Sequence, residues 1–115
     1  LEANLASQNS SVAQEDFRAF HDLDDRFHRL LCYASGHPGA HRTVVQMKAQ
    51  VDRLCRLSFG NVGETASLVE DHHTIFQSLL DGDVDRARRA TRIHLTRLDK
   101  TIEEVFERHP SFFVD

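Results

Sequence analysis

Residues 66–108 read ASLVEDHHTIFQSLLDGDVDRARRATRIHLTRLDKTIEEVFER. Apolar side chains recur at helical spacing on both sides of Asp81-Gly82-Asp83, which predicts two antiparallel helices joined by a turn. His72 lies at the centre of the first apolar stripe and His94 at the centre of the second. A helix rises about 1.5 Å per residue, so both imidazoles lie roughly 15–18 Å from the turn. We therefore expect two core-facing imidazoles to meet inside a helical bundle.

Helical periodicity continues along the rest of the chain, without a clean alternating run, and predicts an all-α antiparallel bundle. The expected helices cover residues 1–9 and 12–34, a third from about Pro38 to the loop Gly60-Asn61-Val62-Gly63, and residues 66–80 and 84–108, with a polar break at Asn9-Ser10-Ser11. The expected core faces contain Phe17, Phe20, Phe27 and Leu31; Val44, Met47, Val51, Leu54 and Ser58; Leu68, Val69, Ile75, Phe76, Leu79 and Leu80; and Val84, Ala87, Thr91, Leu98, Thr101 and Val105. The tail Phe112-Phe113-Val114 is expected to pack on the bundle or to mark a subunit contact.

Length and composition predict a single globular domain over residues 1–115, since 40% of the residues are apolar and 28% are charged. The formal net charge of −4, with both signs interspersed, argues against a nucleic-acid-binding face. No apolar run approaches the roughly 18–20 residues that cross a membrane, and no signal-peptide pattern opens the chain. Cys32 and Cys55 have no metal-binding or redox spacing, which favours reduced thiols and a cytoplasmic location.

Four residues suited to metal binding lie at the centres of apolar stripes: Asp24, His28, His72 and His94. Asp24 and His28 are one helical turn apart, so both side chains lie on one face. A carboxylate there is costly unless it is paired or bound to a metal. Three imidazoles and a carboxylate suit zinc, nickel, manganese or iron. The alternative is a hydrogen-bonded polar core that contains no metal.

Three further side chains are candidates for a supporting or effector-binding role. His21 lies one turn before Asp24, and His73 is adjacent to His72. Either could contact the ligands from outside, although a boundary or surface histidine is the simpler interpretation. Arg97 follows His94 by three residues and could bind the carboxylate of a ligand; the simpler interpretation is an arginine that extends to solvent.

At these residues the sequence resembles the FCD domain, the C-terminal ligand-sensing domain of FadR-type regulators in the GntR class. Asp24-Asp25-Arg26-Phe27-His28 matches the family's D-x-x-F-H, and Asp71-His72-His73-Thr74-Ile75 matches E-H-x-x-I with Asp for Glu. Asp81-Gly82-Asp83 corresponds to the family's A-G-D turn, and His94-Leu95 to its terminal H-L. The order and spacing of the motifs agree from residue 16 to residue 98.

The resemblance implies a bundle whose core holds a divalent metal on Asp24, His28, His72 and His94, without catalysis. It implies a small carboxylate effector, a homodimer, and DNA binding only through an N-terminal winged-helix domain that is absent from this sequence. The first helix of the family's bundle is also expected to be missing. Two alternatives remain at this point: a metalloenzyme with an Asp/His₃ site, for which His21 is the candidate base, and a metal-free dimerisation bundle.

Overall fold

A computed structural model of the chain describes residues 1–55 and 62–108. All regular structure in these two ranges is α-helical, which confirms the predicted all-α class. The helices are α1 (Glu2–Ala13), α2 (Phe17–Ala34), α3 (Pro38–Cys55), α4 (Val62–Leu80) and α5 (Val84–Arg108). The predicted tail at residues 112–114 lies outside the described residues.

The helices pack as a closed ring. Helix α1 contacts α2 and α4, α2 contacts α3, and α5 contacts both α3 and α4. Helices α4 and α5 form the predicted hairpin around Gly82, whose φ of +67° is the left-handed conformation that glycine adopts without strain. The N–H of Gly82 donates to the carbonyl of Leu79, and that of Asp83 to Ser78. Asp83 then caps α5, because its Oδ1 accepts the N–H of Arg86 at 3.0 Å.

The first turn of the chain differs from its prediction. Helix α1 runs through Asn9-Ser10-Ser11 and ends at Ala13. Ser11 is accommodated because its hydroxyl donates to the carbonyl of Gln8 at 2.8 Å, so this buried hydroxyl is paired within the helix. The actual turn places Glu15 at a φ of 55°, and Asp16 caps α2 by accepting the N–H of Ala19 at 3.1 Å. Helix α2 therefore begins at Phe17, five residues later than predicted.

Helix α4 begins at Val62, one turn before the predicted start at residue 66. The expected core face of α5 is confirmed at His94, which is buried, and was wrong at Val84 and Thr91, which are exposed; Ala90 is buried in the place of Thr91. Leu79, Leu80 and Val44 are also exposed, contrary to the prediction. The predicted core residues Met47, Val51, Leu54, Ser58, Leu98, Thr101 and Val105 have side chains outside the described set.

The described core holds more polar than apolar residues. Its apolar members are Leu5, Phe20, Phe27, Val69, Ile75 and Ala90, and its polar members are Asn4, Gln8, Ser11, Asp24, Thr65, Asp71, His72, Ser78 and His94. Buried polar groups are costly unless they are paired, so their hydrogen bonds decide how α1, α2, α4 and α5 pack. Within the described ranges, no helix is both long and apolar enough to cross a lipid bilayer.

Candidate metal centre

The bundle brings together the four predicted ligands, here termed the Asp–His cluster: Asp24 and His28 from α2, His72 from α4 and His94 from α5. One ligand atom from each residue lies within 4.8 Å of all the others. His72 is fully buried, Asp24 and His94 are buried, and His28 is half-buried. Helical spacing sets the first pair on one face of α2, and the α4–α5 hairpin sets the other two opposite it.

The spacing of the ligand atoms fits a small divalent cation. His72 Nε2 lies 3.2 Å from Asp24 Oδ1 and 3.2 Å from His94 Nε2. His28 Nε2 lies 3.3 Å from Asp24 Oδ1 and 3.4 Å from His94 Nε2. Ligands bound tetrahedrally at the usual zinc–nitrogen distance are separated by about 3.3 Å. Four separations in the cluster therefore match those of atoms that share one ion.

The hydrogen bond to His72 from outside the cluster fixes which ring nitrogen carries its proton. His72 Nδ1 lies 2.7 Å from Gln8 Oε1, while Gln8 Nε2 donates to Asn4 Oδ1 at 2.6 Å. Because a carbonyl oxygen only accepts, Nδ1 of His72 must carry the hydrogen. In the neutral ring, Nε2 then presents its lone pair to the cluster.

His94 has the same tautomer for a different reason. Its Nδ1 donates to Asp71 Oδ2 at 3.2 Å, and a carboxylate also only accepts. Arg97 holds that carboxylate from the other side, with Nε donating to Oδ2 at 2.6 Å and Nη2 to Oδ1 at 3.2 Å. The lone pairs of His72 and His94 thus face one another across 3.2 Å, an arrangement that a shared cation would stabilise.

The charge state of the rings agrees with this geometry. Burial is the main cause that lowers the pKa of His94 to about 4, and the neighbouring His72 and His28 rings lower it as well. Burial also lowers the pKa of His72, although the neighbouring carboxylate of Asp24 opposes that effect. Both rings are therefore neutral at neutral pH, which is the form that binds metals.

The sequence profile of the FCD domain matches residues 1–97, which is most of the chain. This chain belongs to the FCD family. It is similar to the HTH-type transcriptional repressor RspR of Escherichia coli, with 31% identity over 113 residues that cover 98% of this chain and 50% of that protein. It is also 36% identical over 98 residues to an uncharacterized HTH-type transcriptional regulator in an unstable DNA locus of Streptomyces ambofaciens, which covers 85% of this chain and 42% of that protein.

This FCD domain spans about half the length of the curated relatives it matches. No solved structure matches it. Family membership and the names of the relatives indicate a regulatory protein and not an enzyme, which leaves the metalloenzyme alternative without support.

The three tentative effector contacts of this FCD domain lie in different places. Arg97 is bonded to Asp71 at the edge of the Asp–His cluster. His73 is exposed on the α1 side of α4, where its Nε2 lies 3.1 Å from Asn9 Nδ2. His21 is half-buried with its ring edge-on to Phe20. His21 and His73 are not members of the cluster, and their assignment to effector binding stays a prediction.

Sequence reasoning missed two residues that touch the cluster. Gln8 was overlooked because residues 1–9 were interpreted from their leucines alone, although Asn4, Gln8 and Ser11 follow one another at helical spacing. Asp71 was noted only as part of a motif. Its position four residues before Ile75 and next to His72 gave no sign that it contacts His94 on the other arm of the hairpin.

Proposed function

We propose that this FCD domain is the effector-sensing domain of a bacterial GntR-class transcription regulator, and that it binds one divalent transition metal and a small organic acid. The observation that carries the proposal is the pair of Nε2 atoms of His72 and His94. They lie 3.2 Å apart, both have fixed tautomers, and Asp24 Oδ1 lies 3.2 Å from His72 Nε2.

The charges of the buried site support a cation. With the three imidazoles of the cluster counted as neutral, Asp24 and Asp71 contribute two negative charges and Arg97 one positive charge, so the formal net charge is −1. Imidazole nitrogens with one carboxylate oxygen suit zinc, nickel, manganese or iron in the divalent state. A bound dication would make the site positive overall, and it would supply a Lewis-acidic position for an anionic ligand.

Arg97 is the best placed of the tentative effector contacts. Its guanidinium already binds one carboxylate, that of Asp71, and its side chain is 45% exposed. Guanidinium groups bind carboxylates through paired hydrogen bonds, and this one lies at the edge of the cluster. In this proposal the metal binds one carboxylate oxygen and Arg97 contributes to the selection of acids.

The relatives are named as HTH-type regulators, so we propose that the intact protein binds DNA through a separate N-terminal domain and works as a homodimer in the cytoplasm. Residues 1–115 form the ligand-binding domain. An acid that binds one arrangement of the bundle more tightly would shift the placement of the two DNA-binding domains.

The proposal is tested by calorimetric titration of carboxylic acids into the zinc- or nickel-loaded domain and into the metal-free domain. The panel contains sugar acids, hydroxy acids, dicarboxylates and amino acids. We expect at least one acid to bind the loaded domain and to bind at least tenfold more weakly without the metal. Equal binding in both states, or binding of no acid by a loaded domain, would contradict the sensing role.

A further inference from the structure

We infer that Gln8 and Asp71 are positioning residues that aim the lone pairs of His72 and His94 at one point before any metal arrives. The inference deepens the proposed function, on which its connection to metal affinity rests. The arrangement of hydrogen-bond donors and acceptors, however, can be measured without a metal.

The arrangement around His72 begins at a backbone carbonyl. The oxygen of Leu23 can only accept, and Asn4 Nδ2 donates to it at 3.0 Å. The amide oxygen of Asn4 must therefore face the Nε2 of Gln8, and it does so at 2.6 Å. Gln8 is left with its oxygen toward His72 Nδ1. Three hydrogen bonds with one direction thus connect the residue before Asp24 to the tautomer of His72.

These three hydrogen bonds, from His72 through Gln8 and Asn4 to Leu23, are here termed the Gln8 relay. The relay is buried, and neither amide can be flipped without losing a hydrogen bond. Gln8 is fully buried, and Asn4 is 7% exposed. If the Gln8 amide were flipped, its NH₂ would face His72 and its oxygen would face the oxygen of Asn4, leaving a buried acceptor pair without a hydrogen. Phe27 adds a steric restraint, because its ring stacks on that of His72 with centroids 4.3 Å apart.

Asp71 fixes the tautomer of His94 in the same way, but its acceptor is a charged carboxylate. The carboxylate accepts from His94 on the core side and from Arg97 on the solvent side. Arg97 occupies both carboxylate oxygens, so Asp71 is held in place and its charge is balanced. The two imidazoles that face each other therefore have different hydrogen-bond acceptors: the neutral amide of Gln8 for His72 and the carboxylate of Asp71 for His94.

Helix α1 therefore supports the proposed metal centre through Gln8, although it supplies no metal ligand. Outer hydrogen-bond partners of metal-bound histidines typically change metal affinity by about 10- to 100-fold. We expect the Gln8 relay to have an effect of this size on affinity, and we expect the docking of α1 on α2 and α4 to be coupled to metal binding.

The first test is nitrogen-15 NMR of the histidine rings in the wild-type domain at neutral pH after removal of metal. We expect both His72 and His94 to show protonated Nδ1 and unprotonated Nε2. The opposite tautomer, or a mixture, in either ring would overturn the inference. This measurement needs no variant and no metal.

The second test compares Gln8→Met, which keeps the bulk but loses the acceptor, with Gln8→Glu, which keeps an acceptor oxygen. We expect Gln8→Met to lose the single tautomer of His72, to leave that of His94 unchanged, and to weaken zinc binding by about 10- to 100-fold. Gln8→Glu should retain the tautomer. Gln14→Met, an exposed glutamine at the C-cap of the same helix, is the control.

The outcomes separate the two proposals. Correct tautomers in a domain that takes up no metal would overturn the proposed function and leave the hydrogen-bond inference standing. Wrong tautomers in a domain that binds zinc would overturn the inference alone. Zinc affinity within twofold of wild type in a folded Gln8→Met variant would also overturn it.

Discussion

Asp71 shows how one carboxylate connects the core of this domain to its surface. On one side it accepts from the buried His94, and on the other from Arg97, whose pKa is raised mainly by this hydrogen bond. The positive charge of Arg97 lies so near the proposed cation that it should affect metal binding and acid binding in opposite directions. Arg97 repels the metal, whereas it attracts an anionic effector.

We therefore predict that Arg97→Met tightens metal binding and weakens acid binding. Removal of the positive charge should raise the zinc affinity by about 3- to 10-fold, since charges near a protein surface interact with an intermediate effective dielectric. Isothermal titration of zinc, and then of an acid into the loaded variant, measures both effects. Arg92→Met, an exposed arginine on the same helix, is the control. Weaker binding of both ligands would show that Arg97 acts only by holding Asp71 in place.

At the residue scale, the sequence predicted the members of the Asp–His cluster but not their supports. Asp24, His28, His72 and His94 could be found because each interrupts an apolar stripe with a ligand-type side chain. Gln8 and Asn4 could not, because a polar residue near a chain terminus ordinarily faces water. Only the packing of α1 against α2 and α4 makes them core residues.

At the scale of elements, three helices end in the same hydrogen-bonded turn. Helices α1, α2 and α4 each close with a residue in the left-handed conformation: Glu15, Gly36 and Gly82. In each turn, the N–H of this residue and the next N–H donate back to the carbonyls of the last turn of the helix. Glycine marked two of these turns in the sequence. The third carries glutamate, which explains why its position was missed.

The left-handed residues that follow α1 and α4, Glu15 and Gly82, predict stability changes of opposite sign. Glu15→Gly should raise the free energy of unfolding by about 0.5–1 kcal/mol, because a side chain is strained at positive φ. Gly82→Ala should lower it by about 1 kcal/mol for the same reason. No atom lies within 4 Å of a Cβ placed on Gly82, so that cost comes from the backbone alone. Urea denaturation of both variants measures the difference, and a change of the same sign in both would contradict the assignment.

The element boundaries that were wrong have local causes. Serine is usually a helix cap, but Ser11 bonds back to its own helix and lets α1 continue. The predicted core face of α5 was right at His94, which is buried, and wrong at Val84 and Thr91, which are exposed. The helix instead packs its small Ala90 inward, in line with His94, and leaves Val84 exposed. Helix type was thus predictable, whereas the rotation of α5 depended on tertiary packing.

At the scale of the molecule, the cluster connects helices that are far apart in the chain. Asp24 and His28 come from α2, His72 from α4 and His94 from α5, while α1 is attached through Gln8. In a core with so many polar members, a cation bound by three helices would stabilise the folded state directly.

We predict that chelator treatment lowers the melting temperature of the loaded domain by roughly 10 °C or more. A metal present at 100 times its Kd contributes about 2.7 kcal/mol, and 1 kcal/mol corresponds to about 4–8 °C in a domain of this size. Thermal unfolding with and without chelator measures the shift. The His72→Ala variant should show no response to chelator, and an equal response in this variant would place the metal elsewhere.

The central claim is that the Asp–His cluster binds one divalent cation. Its most direct test is the zinc or nickel content and affinity of the untagged domain, compared with Asp24→Ala/His72→Ala and with His73→Ala as control. His73 is the neighbour of His72 but is exposed and faces α1. We predict one equivalent of metal in the wild type and in His73→Ala, and none in the double variant. No metal in the wild type, even after exposure to excess zinc and nickel, would contradict the claim and leave a hydrogen-bonded polar core.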